Sequence, residues 1–220
     1  MAEKVKLLLV ILVPFVLIFG CTGYPDYLKY DVFTEARKGI NKDFQKTFDK
    51  SLIYTGLYID LKGSYNQERD LFHPEISNVH LLEDIIKTSL GESSLFARTS
   101  IQDEDAEIKI GPENDAPLFI KFFTNRARLD SKVFKGFEIS INLAILIYRG
   151  SESNAEPLYY RVYNIERFYK PKPAMYPMAA NFYKLGVELV NRALADIGKS
   201  DLDNPDYRSI EEKVIRLDKL

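Results

Sequence analysis

Residues 137–148 read FEISINLAILIY. Phe137, Ile139, Ile141, Leu143, Ile145 and Ile147 stand at every second position, so one face of an extended chain is wholly apolar while Glu138, Ser140 and Asn142 lie on the other. That spacing predicts a long strand over a buried core. Working outward, residues 158–169 (LYYRVYNIERFY) are rich in aromatic and β-branched residues and predict its neighbour, joined through a turn at 150–157. Residues 118–129 are apolar and aromatic at first, then basic at Arg126 and Arg128. Further upstream, Ser51 to Lys62 alternates, with Ile53, Thr55, Leu57, Ile59 and Leu61 on one face and Tyr54, Gly56 and Tyr58 on the other. Leu95 to Ile101 and Ala106 to Ile110 are shorter strand candidates.

Helical spacing breaks in at two places. Val79, Leu82, Ile85, Ile86 and Leu90 share one side of a helix capped near Ser77 or Asn78 and closed by Gly91. Pro177 opens a longer one with Met178, Phe182, Leu185, Leu189, Ala193 and Ile197 in register, and Gly198 sits where a terminating glycine belongs. Phe33, Ile40, Phe44 and Phe48 predict an amphipathic helix over 31–50, weakened by Gly39. The tail, 199–220, has room for one short helix. This order predicts an α+β two-layer sandwich: a mainly antiparallel sheet of about five strands, with two main helices on one face and an N-terminal amphipathic helix besides.

The chain has 220 residues, a net charge of −2 and a single cysteine, Cys21. Its start is a short basic stretch (Lys4, Lys6), an apolar run from Leu7 to Phe19 broken only by Pro14, and the small Gly20 before that cysteine. Charged, apolar and cleavage regions in that order make a secretory signal. Thirteen helical residues span about 20 Å, short of the hydrocarbon core of about 30 Å, so a permanent span is the weaker reading. Ile18-Phe19-Gly20-Cys21 resembles the lipobox of bacterial lipoproteins, with Phe19 where a small residue is usual. The resemblance implies cleavage between Gly20 and Cys21 and acylation of the Cys21 sulfur. It implies a membrane tether through two or more acyl chains, each buried methylene contributing about 0.8 kcal/mol. Thr22, which follows, implies the outer membrane on its periplasmic side. The expected organisation is signal 1–20, tether 21–30, amphipathic extension 31–50, α+β domain 51–198, and acidic linker and tail 199–220. The domain order is similar to that of small envelope lipoproteins of the LptE and YajG kind and of auxiliary lipoproteins of ABC-type exporters, which implies an accessory role.

Catalytic patterns are absent from the sequence. There is no G-x-S-x-G elbow, no phosphate-cradling glycine loop, and only two histidines, His73 and His80. His80 and Glu83 lie one helical turn apart, but a zinc site wants three or four ligands. Asp201, Asp203, Ser209 and Glu212 match a calcium-loop spacing, yet Pro205 and Asp206 stand where that loop needs a ligand and a glycine. No enzyme activity, cofactor or metal is expected, and the mild acidity speaks against nucleic acid. The residue types that suit recognition are the tyrosines and arginines. Alternation places Tyr159, Arg161, Tyr163 and Arg167 on one side of their strand, and puts Tyr54, Tyr58 and Tyr148 away from the apolar sides of theirs. They predict a partner-binding sheet face, docking an envelope protein or alternatively a small ligand, lipid or glycan, unless the extension 31–50 covers it.

Overall fold

The computed structural model describes residues 37–42, 44, 47–59, 74–101, 117–132, 136–150, 157–170 and 177–217. The signal, Cys21, the tether and the strand expected at 106–110 lie outside them. Eight elements follow in chain order: β1 (Phe48–Ile59), α1 (Pro74–Glu92), β2 (Phe96–Ile101), β3 (Leu118–Lys132), β4 (Gly136–Arg149), β5 (Tyr159–Tyr169), α2 (Pro177–Gly198) and β6 (Ser209–Arg216). The strands form one six-stranded sheet in the order β2-β1-β3-β4-β5-β6.

Among the described residues the fold is α+β with two main helices, as expected, but the sheet is mixed. Only β3/β4 and β4/β5 are antiparallel; β1/β2, β1/β3 and β5/β6 are parallel. The helices explain this. Strands joined by a tight turn must run antiparallel, whereas a strand, a helix and the next strand return the chain in its original direction. α1 connects β1 to β2, and α2 connects β5 to β6, so a parallel pair flanks the central hairpin on each side.

Two further expectations are corrected. The tail forms a sixth strand instead of a short helix. Ile210, Val214 and Ile215 pair with Tyr160, Val162 and Tyr163, and Glu211 to Lys213 bulge out between the first two pairs. The helix expected over 31–50 does not reach its end: residues 38–42, 44 and 47 are not helical, and Phe48 to Lys50 begin β1. Gly39 marks the break, consistent with its high cost inside a helix.

Both helices pack on one face of the sheet. The apolar side of β4, Ile139 to Ile147, is fully buried beneath them with Ile120, Phe122 and Leu52. α1 supplies Leu82, Ile85, Ile86 and Leu90, and α2 supplies Phe182, Leu185, Leu189, Ala193, Leu194 and Ile197. The helices approach closely at Gly186, where a Cβ would stand 2.7 Å from Ile85 Cδ1.

Residues 37–42 run as a strap along the two helices. Arg37 bridges them, donating to the Tyr183 hydroxyl (3.3 Å) on α2 and to Asp84 (3.4 Å) on α1. Asn191 on α2 grips the strap backbone twice: its amide donates to Gly39 O (2.7 Å) and its carbonyl accepts from Asn41 N (3.0 Å). Ile40 is buried. Lys42 pairs with Glu92 at 2.8 Å, and Ser94 donates twice to Lys42 O. With α1, the sheet and the strap on its other sides, α2 exposes only Lys184, Glu188 and Arg192 along its described length, one residue per turn.

Candidate functional site

β4 lies between β3 and β5, so its register fixes which side chains share a face. Tyr159, Arg161, Tyr163 and Arg167 stand opposite Ile147, Ile145, Leu143 and Ile139, the side chains that pack under the helices. Sequence alternation groups these four together correctly, but they face the helices. Tyr159 and Tyr163 are fully buried in the core, and Arg167 reaches Glu188 on α2 at 2.6 Å. Tyr54 also joins the core, 1% exposed. A bulge between Tyr54 and Leu57, at Gly56 with φ +135°, then shifts the alternation of β1, so that Tyr58 emerges on the opposite face at 41% exposure. Tyr148 is half-buried on that same opposite face, beside Phe119. The expected face is therefore divided: of its seven residues only Tyr58 and Tyr148 lie away from the helices. A continuous Tyr/Arg surface for a ligand or glycan does not form.

The covered half makes a polar cluster inside the core. The Tyr159 and Tyr163 hydroxyls are 3.0 Å apart, and Tyr163 donates to Asp196 on α2 at 3.4 Å. Asp196, 8% exposed, also meets Arg192 (3.5 Å) and Lys199 (3.4 Å). Arg161 lies 5.0 Å from the Tyr159 ring and 3.3 Å from Glu211 of the β6 bulge. Burial pushes the Tyr163 hydroxyl up to about 12, and burial pushes Tyr159 up as well, with the neighbouring Tyr163 adding to it. Burial, with Glu83 beside it, likewise raises Tyr54. Phenols held neutral beside a carboxylate paired with two cations act as hydrogen-bonding core groups and offer no poised acid or base. His80 is exposed and Glu83 pairs with Lys87 at 3.0 Å, so the two do not converge. Ser209 and Glu212 belong to β6, so the calcium-loop spacing runs into a strand. Among the described residues, no group of three His, Cys, Asp or Glu could hold a metal, and no helix is long and apolar enough to cross a membrane.

The face away from the helices is the more informative one, and its apolar content was hidden from alternation alone. Register aligns Tyr58, Phe123, Ala144, Val162 and Val214 in one row across five strands. Lys121, Leu146, Tyr160 and Ile210 form the next row on one side; Arg126, Asn142, Asn164 and Arg216 form the next on the other. Ile210 is 51% exposed and Val214 40%. Tyr58 stacks on Phe123 (5.4 Å), and the Lys121 ammonium sits 4.5 Å from the centre of the Tyr58 ring. At a strand spacing of about 4.8 Å, this apolar band is roughly 19 Å long.

No protein-family model and no curated protein matches the chain. Solved structures of bacterial proteins align with it at low identity. Protein XCC0632 from Xanthomonas campestris is 12% identical with a TM-score of 0.47, covering 71% of this chain and 87% of that one. The PelC dodecamer from Paraburkholderia phytofirmans gives 13%, 0.41, 70% and 91% for the same quantities. Lipoprotein GNA1162 from Neisseria meningitidis gives 8%, 0.36, 69% and 100%.

Proposed function

We propose that this chain is a non-catalytic lipoprotein of the bacterial envelope, cleaved before Cys21 and held by acyl chains on that sulfur at the outer membrane, facing the periplasm. Its body serves assembly or transport of envelope components by docking a protein partner on the sheet face opposite the helices. The lipobox-like end supports the tether. The observation that supports docking is the apolar band from Tyr58 to Val214, with Ile210 and Val214 exposed in it. An apolar sheet face gains stability when another layer covers it. A pair of measurements tests the reading. Intact-mass spectrometry of the membrane-extracted protein is expected to show residues 1–20 removed and Cys21 diacylglycerylated; a retained leader and a bare thiol overturn the tether. A photocrosslinker at Val214 is expected to yield a discrete envelope-protein adduct in cells, whereas one at Lys184, on the exposed stripe of α2, yields none. Adducts at neither position overturn docking on this face.

A further inference from the structure

We infer that the apolar band on the face away from the helices receives an amphipathic helix whose apolar stripe is flanked by carboxylates, contributed by an envelope protein. This rests on the docking reading above and adds the chemistry of the partner.

The edge of the sheet beside the band is closed to strand addition. β6 opposes the single residue Arg161 with Glu211, Glu212 and Lys213, a bulge that breaks the edge ladder and crowds it with charge. Only the face is left, and the other face of this same sheet is already covered by helices. A helix about 10 Å across matches the two apolar rows, Phe123-Ala144-Val162-Val214 and Leu146-Tyr160-Ile210.

Charge selects the kind of helix. The chain carries −2 overall, yet the band is bordered by cations. Lys121 ends one row, and Arg126 and Arg216 end the row on the opposite side, with Asn142 and Asn164 between them. Arg126 and Arg216 are exposed, and among the described residues the Arg126 side chain makes one long hydrogen bond, to Ser140 Oγ at 3.5 Å. Glu212 and Lys213 stand side by side in the bulge and offset one another. Arg126 and Arg216 are three strand spacings apart, about 14 Å, too far for one phosphate headgroup to bridge. Carboxylates distributed along a helix reach both.

The test uses the full acylated protein in phosphatidylcholine vesicles and two labelled 18-residue peptides. Both carry one leucine stripe at helical spacing; one is flanked by Glu, the other by Lys. After subtraction of binding to protein-free vesicles, the Glu peptide is expected to bind at least tenfold more tightly at low salt, and the margin to shrink at 0.5 M salt. Arg126→Glu with Arg216→Glu is expected to reverse the preference. Val162→Asp is expected to abolish binding; the milder Ile210→Ser and Val214→Ser, on the exposed edge strand, are expected to weaken it without altering the melting temperature. Equal binding of the two peptides overturns the acidic partner. So does binding of phosphatidylglycerol vesicles at this face in preference to either peptide, or self-association abolished by Val214→Ser. Binding that appears only after removal of residues 102–116 also overturns it, since the chain would then be its own occupant. If the Val214 crosslink survives while the peptides fail, docking on this face stands and the acidic helix alone falls.

Discussion

The Tyr163 hydroxyl on β5 donates to Asp196 Oδ2 on α2 across 3.4 Å, while its other side meets the Tyr159 hydroxyl at 3.0 Å. One phenol thus joins the sheet to the helix through a group in the core. Replacing it with Phe leaves the Tyr159 hydroxyl buried without that partner, a cost of about 1–3 kcal/mol. Removing both hydroxyls strands neither, and Asp196 keeps Arg192 and Lys199. Tyr163→Phe is therefore expected to be destabilising, and the Tyr159→Phe/Tyr163→Phe pair to cost less than the two single changes added together. Urea unfolding of the four proteins in the cycle reads the difference; strict additivity contradicts the shared network.

The same pair sets an alkaline limit. Burial raises Tyr163 to about 12, above the value near 10 of an unfolded tyrosine, and raises Tyr159 too. The folded state therefore holds these protons more tightly than the unfolded state. Their contribution is complete below pH 10 and is lost as pH climbs from 10 towards 12. The slope is about 1.4 kcal/mol per pH unit for each tyrosine that titrates only on unfolding. Unfolding followed from pH 8 to 11.5 is expected to show this loss, and the double Phe variant a shallower one.

The buried side of β4 was legible because six large apolar residues stand at every second position, with Glu138, Ser140 and Asn142 between the first four. The side that β5 buries was not. Leu158, Tyr160 and Val162 are more apolar than Tyr159, Arg161 and Tyr163, so hydrophobicity points the wrong group inward, while alternation says only which residues go together. Register decides it: Tyr163 lies opposite Leu143, and a shift of one residue would have exchanged the two groups. β1 hid its bulge, since Gly56 reads as one more member of the alternation until its φ of +135° is seen. β6 escaped because Glu211, Glu212 and Lys213 interrupt any strand period, and those three residues form its bulge. Parallel pairing could have been inferred from the helix standing between two strands at each end of the sheet.

Gly136 opens β4 at φ +125°, and a Cβ there would run into the Tyr169 carbonyl oxygen. Both the backbone conformation and the close approach require glycine. Gly136→Ala is expected to destabilise by about 2–3 kcal/mol, combining left-side strain with a displaced β5 end. Gly150, also at positive φ, has nothing within 4 Å of its missing Cβ, so Gly150→Ala carries the conformational cost alone and is expected to be milder. Equal melting temperatures for the two variants would show that the Tyr169 contact contributes nothing.

Arg149, at the end of β4, donates to three backbone carbonyls of the turn before β6: Pro205 O at 3.0 Å, and Leu202 O and Asn204 O at 3.1 Å each. Asn204 O also accepts from Tyr207 N at 3.1 Å, and the planar guanidinium reaches all three oxygens at fixed angles. Lysine offers a single ammonium point and no such fork. Arg149→Lys is thus expected to keep the charge but loosen the turn, and with it the pairing of β6 on β5. Hydrogen exchange separates this from a global effect. The Leu217 and Ser209 amides, which donate to Asn164 O and Leu158 O, are expected to exchange at least tenfold faster, while amides of the β3/β4 hairpin keep their wild-type rates. Uniform acceleration across the sheet would mean that Arg149 supports the whole fold and has no special hold on its last strand.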